Sequence, residues 1–294
     1  MKKYLFLIFL FTLSIFLLGC PDVKDINNNK TGGGTEGETD RGTEGETGGE
    51  IYILDGVTHY IVENGKKIKT LEQQVLTYNY TDARNNYNES NQTSYDSSTG
   101  EISAYYDLIR TIRTGNIQEN YTSGEIYNAD GTKYYSCILE QTIEYYGNTN
   151  ILISVISSSK YTYFTGSNAG QIIENSPITS NYIITVIELS DYTYYKVEMP
   201  NTTMYSIYKY YTDNSYSVEF YNNSMMTNKI EYTPVIINGK IMYNLEKKYD
   251  SNNILTSYTN VQKNDTELGV NIECIGYDID GNITFIQEYR YKKD

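Results

Sequence analysis

Apolar residues in this chain recur with a period of two rather than 3.6, stretch after stretch. From Lys133 to Tyr146, Tyr135, Cys137, Leu139, Ile143 and Tyr145 share one parity, while Ser136, Glu140, Thr142 and Glu144 occupy the other. The same alternation runs through Leu268, Val270, Ile272 and Cys274, and through Ile283, Phe285, Tyr289 and Tyr291. Such spacing turns one face of a β-strand toward a core and the other toward water. Between the runs stand Asp55-Gly56, Asn64-Gly65, Asp130-Gly131, Asn238-Gly239 and Asp280-Gly281, dipeptides that accept positive φ and close tight or bulged hairpins. Strands joined by such short turns must run antiparallel, because a parallel crossover needs a dozen or more residues. The pattern predicts an all-β fold, a long antiparallel meander of about 14 to 18 strands. It would close as an extended twisted sheet, a sandwich or a soluble barrel.

Composition points the same way. The chain has 34 Tyr and 7 Phe but no Trp, and Ala stands only at 83, 104, 129 and 169. Residues that suit a pleated surface replace helix formers, which excludes an all-helical protein. A tyrosine ring covers area while its hydroxyl stays solvated, so Tyr can replace Leu in a sheet with wet faces.

The first residues read as an address. Met1, Lys2 and Lys3 precede an apolar run from Tyr4 to Leu18, broken only by Thr12 and Ser14, that ends Leu17-Leu18-Gly19-Cys20. This is the layout of a secretory signal, too short to span a bilayer comfortably. Leu17-Leu18-Gly19-Cys20 resembles the lipobox of bacterial lipoproteins. The resemblance implies cleavage after Gly19, leaving 1–19 as signal peptide, and acylation of Cys20 with palmitate-type chains. Two or three chains would make the anchor effectively permanent, since each buried methylene adds about 0.8 kcal/mol. Residues 20–50 then form a tether. Gly32-Gly33-Gly34 and a twice-repeated Thr-Glu-Gly-Glu-Thr at 35–39 and 43–47 offer nothing to bury and predict a disordered linker.

The body, residues 51–294, holds 33 of the 34 tyrosines. Of the net charge of −14, the signal contributes +2, the tether −5 and the body −11. That acidity excludes a nucleic-acid binder working by phosphate neutralisation and gives the body no attraction to an anionic membrane surface. The loop from Gly166 to Pro177 is where an internal boundary would fall. An outer-membrane barrel is disfavoured, because charges interrupt the less apolar parities and an acyl anchor would be redundant. Four stretches look alike: Tyr95–Gly100, Tyr127–Gly131, Tyr249–Asn253 and Tyr277–Gly281, each ending a strand on Tyr and turning on Asp or Asn. They resemble the hairpins of YD-type and MORN-type repeat proteins, which implies hairpin units tiled into a sheet.

Catalytic constellations are scarce. His59 is the single histidine, has no nucleophile elbow beside it and reads as a strand-surface residue. Cys137 and Cys274 sit on apolar parities, and outside the cytoplasm the pair invites a disulfide, with two buried thiols as the alternative. Asp278-Ile279-Asp280-Gly281-Asn282 lacks the Glu that a calcium loop needs, since position 287 is Gln, and reads as a hairpin turn. No phosphate-cradling glycine motif is present. No catalytic, cofactor-binding or metal-ligating residue is therefore expected, and no cofactor. Tyr161–Phe164, Tyr192–Tyr195 and Tyr205–Tyr211 are the segments whose rings could form a platform. The expectation is a non-enzymatic lipoprotein of the bacterial cell envelope, extracytoplasmic, at the outer membrane or cell surface rather than the inner membrane. Its partners would be the bilayer, through acylated Cys20, and a host or envelope protein or a glycan. A glycan-binding module using Tyr platforms and a carboxylate-dependent hydrolase are the alternatives.

Overall fold

A computed structural model describes residues 52–82, 85–147, 149–237, 240–266 and 269–293. Cys20 and the tether lie outside the described residues. The chain forms β1 (Tyr52–Glu63), β2 (Lys66–Asp82), β3 (Asn85–Tyr95), β4 (Ile102–Thr114), β5 (Ile117–Tyr127), β6 (Lys133–Tyr145), β7 (Leu152–Tyr163), β8 (Ile172–Asn181) and β9 (Ile183–Glu188). It continues with β10 (Tyr192–Glu198), β11 (Met204–Tyr211), β12 (Tyr216–Asn222), β13 (Met225–Ile237), β14 (Lys240–Asp250), β15 (Leu255–Thr266), β16 (Gly269–Asp278) and β17 (Ile283–Lys293). The described residues contain no helix. All-β architecture and the antiparallel meander are thus as expected, and the strand count falls inside the predicted range.

One 17-stranded sheet results. Each strand from β1 to β8 pairs antiparallel with its chain neighbours, as does each from β9 to β17. β1 also pairs antiparallel with β17, from Tyr52 opposite Lys293 to Ile61 opposite Phe285. This long-range ladder rolls the meander into a nearly closed, barrel-like ring.

Seventeen alternating strands would leave β1 and β17 pointing the same way. They oppose each other because β8 and β9, separated only by Tyr182, run on in one direction. Thr162 opposite Ile172 through Ser154 opposite Asn181 tie the first half to β7. Glu198 opposite Ile183 through Thr193 opposite Glu188 tie the second half to β10. Tyr182 itself donates its N–H to the Ile153 carbonyl at 2.8 Å.

One face of the ring carries the core. Val57, Val270, Ile272, Cys274 and Tyr289 form one cluster, Ala104, Tyr106 and Cys137 a second. Ile143, Tyr145 and Val155 form a third, and Ile151, Tyr195 and Val197 a fourth, with Tyr182 packed against both of these. Buried polar residues interrupt the clusters. Gln73, Ser90, Gln92 and Gln118 are almost wholly enclosed, Gln73 donating to Ser90 Oγ at 2.7 Å and Gln118 accepting the Tyr145 hydroxyl at 3.1 Å.

The turns divide into kinds. Asn64 and Gly65 both have positive φ, 51° and 73°, the two-residue hairpin that Asn-Gly favours. Residues 128–132, 250–254 and 278–282 share one geometry. The first N–H of each bonds the fifth residue's carbonyl, the fourth N–H returns to the first carbonyl, and the fourth residue has positive φ. Three of the four look-alike Tyr stretches lead into these turns, and the fourth, at Asp96–Glu101, is one residue longer. The hairpin reading of Asp278 holds, since its Oδ1 accepts the N–H groups of Asp280 and Asn282. Asp55-Gly56 is a correction. It lies inside β1 at a bulge between Leu54 and Gly56, and a side chain on Gly56 would strike the Arg290 guanidinium and the Gln73 carbonyl. Asn238-Gly239 lies outside the described residues. The segment Gly166–Pro177 spans the β7–β8 turn and the first half of β8, and the sheet runs through it.

Candidate functional site

The face opposite the core is laced with charge. Five glutamates each accept both a Tyr hydroxyl and a Lys ammonium among the described residues: Glu72 from Tyr95 and Lys69, Glu125 from Tyr127 and Lys133, Glu219 from Tyr221 and Lys209, Glu231 from Tyr249 and Lys229, and Glu288 from Tyr60 and Lys67. In three of these trios the ammonium also lies over the ring of its own tyrosine, at 5.3 Å for Lys67 on Tyr60, 4.8 Å for Lys69 on Tyr95 and 5.3 Å for Lys229 on Tyr249. Alternation produces the arrangement, because Tyr, Glu and Lys at even spacing, or opposite one another on paired strands, emerge on one side.

The face is interrupted where β4 and β5 slip. Tyr105 pairs with Glu125 but the next pair is Leu108 with Ser123, so one extra residue bulges from β4. Opposite the bulge stands Gly124, where a Cβ would come within 2.6 Å of the Tyr105 carbonyl oxygen and 2.7 Å of Tyr106 Cδ1. Glycine is therefore required by close approach, not by φ. A groove of about 450 Å³ lies over this bulge. Its walls are Tyr105, Asp107, Ser123, Glu125, Ser136, Ile138, Lys160 and Thr162, with Gly124 and Cys137 in its floor.

The groove is chemically mixed. Tyr105 is 38% exposed and Ile138 36%. Asp107 accepts the Ser123 hydroxyl at 2.9 Å. Lys133 holds the Glu125 carboxyl below its ordinary range, assisted by the Tyr127 hydroxyl. The lining cation, Lys160, is ion-paired with Glu174 of β8. Just past β7, Phe164 is exposed and carries the Lys133 ammonium 5.0 Å from its ring centre. Two carboxylates, one open ring and several hydroxyls thus converge without an unpaired lining cation. The arrangement can stack a flat apolar face and accept hydrogen bonds from hydroxyl or amine groups.

The residues expected from sequence are distributed differently. Cys137 and Cys274 are not joined. Each keeps its thiol, buried in a separate core cluster on β6 and on β16. Burial pushes the Cys137 thiol up to about 11, which keeps it protonated near neutral pH. His59 is half-buried rather than on the surface, stacked on Phe285 at 5.8 Å with Nδ1 2.8 Å from Thr70 Oγ1, and burial lowers its pKa. The pleat splits the tyrosine segments between the two faces. Tyr161, Tyr195, Tyr208 and Tyr210 pack into the core, while Tyr205 stacks on Tyr221 at 4.7 Å. No cluster of three metal-ligating acidic, His or Cys side chains occurs among the described residues. The groove was missed because Tyr105, Asp107 and Glu125 are ordinary surface residues of a strand. Its one sequence signal is Gly124, a glycine inside an otherwise regular strand. No protein-family model matches the chain, and no curated protein matches it.

Proposed function

We propose that this chain is a bacterial lipoprotein anchored by acylated Cys20, a non-catalytic binding module that displays its β-ring away from the envelope on the 21–50 tether. One observation carries the reading. Tyr52 and Lys293 are direct partners at one end of the ring, so the tether would enter there, and the turns at 64–65, 96–101, 128–132, 251–254 and 279–282 lie at the far end. An anchor at one pole and free turns at the other is the layout of a presented module. Its contacts would be the bilayer and, through the outward groove, a host or envelope protein or a glycan. The groove favours binding over hydrolysis, since an ionised Glu125 is not poised to donate a proton. The hairpin turns that share one geometry support kinship with YD- and MORN-type hairpin units.

The test is fractionation of cells expressing the full chain and its Cys20→Ser variant. The parent should partition with membranes, incorporate labelled palmitate and be cleaved by protease added to intact cells. Cys20→Ser should lose the label and appear in the soluble extracytoplasmic fraction. Unchanged partitioning of the variant would overturn the proposal.

A further inference from the structure

We infer that the groove over Gly124 binds a neutral or amino-substituted sugar residue, stacked on Tyr105 with its hydroxyls held by Asp107 and Glu125. The inference rests on reading the chain as a binding module and names the ligand class of that module's groove. Three features select this chemistry.

The first is the open ring. The groove has one exposed aromatic wall, Tyr105, facing a space of about 450 Å³, which matches the flat apolar face of a pyranose rather than an extended peptide. A peptide strand would need unpaired backbone, and β4, β5, β6 and β7 are laddered on both edges here. The second is the acceptor set. Asp107 and Glu125 are carboxylates on the same outward face, and a carboxylate accepts paired hydroxyl hydrogen bonds that water-exposed amides make more weakly. The third is the sign of charge. Lys160 faces Glu174 and Lys133 faces Glu125, so each cation at the groove already has an anionic neighbour, and the body as a whole carries −11. A neutral or cationic sugar is admitted and an acidic one is repelled. Phe164, exposed beyond the Thr162 end of the groove, offers a second ring to a longer saccharide.

The experiment is titration of the full chain in detergent micelles with three tetramers: N-acetylglucosamine, glucosamine and a hexuronate. Saturation-transfer NMR reports contact with the sugar, and calorimetry reports affinity. The first two should bind and the hexuronate should not. Tyr105→Ala should weaken binding by about tenfold or more and Tyr105→Phe should retain it, because the ring and not the hydroxyl is used. Asp107→Asn should weaken binding about tenfold, with unchanged far-ultraviolet circular dichroism for every variant. The inference is overturned if the parent binds none of the three, if the hexuronate binds best, or if affinity survives both Tyr105→Ala and Asp107→Asn. None of these outcomes bears on membrane partitioning, so failure of the sugar site and failure of the anchor are distinguishable.

Discussion

At the scale of single residues, tyrosine does two jobs here, decided by which side of the pleat it occupies. Five outward rings, those of Tyr60, Tyr95, Tyr127, Tyr221 and Tyr249, hand their hydroxyls to glutamate. Inward rings are buried, and Tyr106, Tyr145 and Tyr208 are pushed up to about 12, in each case chiefly by burial. Since the fold favours the neutral phenol, stability is fully present below the unfolded pKa of about 10 and is lost as pH rises toward 12. Absorbance at 295 nm should therefore show the exposed tyrosines titrating first and a second group ionising only as the sheet unfolds. Tyr145 tests the buried polar contacts directly. Tyr145→Phe removes the donor to Gln118, and an enclosed amide oxygen left unsatisfied costs about 1–3 kcal/mol. A urea midpoint unchanged by that substitution would contradict the contact.

Elements were the most legible level. Period-two runs located β6, β16 and β17, and Asn64-Gly65, Asp130-Gly131 and Asp280-Gly281 marked real hairpins, because strand alternation and turn chemistry are both local. Asp55-Gly56 misled because the glycine answers to Arg290, more than 230 residues away in sequence. The groove was illegible for the same reason, since it needs a bulge in β4 to meet a glycine in β5. Acid sensitivity belongs to this scale. Glu72 and Glu125 are both held below the ordinary carboxylate range, first by Lys69 and Lys133 respectively. A depressed folded pKa contributes stability above the unfolded pKa of about 4.3 that disappears as pH falls through the folded value. Thermal midpoints should thus stay level from pH 7 to about 5 and drop below about 4. Lys133→Met should move the Glu125 carboxyl resonance back toward ordinary titration in NMR, leaving Glu72 unaffected.

For the whole molecule, closure rests on β1 and β17, strands that no local pattern could have joined. β1 has a ladder on each edge and contributes Val57 to the largest core cluster. β8 is laddered to β7 alone, and nine of its ten residues are exposed, Ile172 and Ile178 at 61% and 65%. Hydrogen exchange should follow that contrast, with amides of β8 on the edge away from β7 exchanging first and those of β1, β16 and β17 last. Uniform protection around the ring would contradict the open junction.

The junction at Tyr182 is a dislocation in an otherwise regular lattice of strands. Because the ring alternates everywhere else, it can lengthen or shorten only in whole hairpins. Two strands gained or lost together leave the polarity of β1 and β17 intact, whereas a single added strand would make them parallel unless the dislocation were removed. The diameter of this ring is thus quantised in steps of two, and the one defect is the place where an odd count can be absorbed.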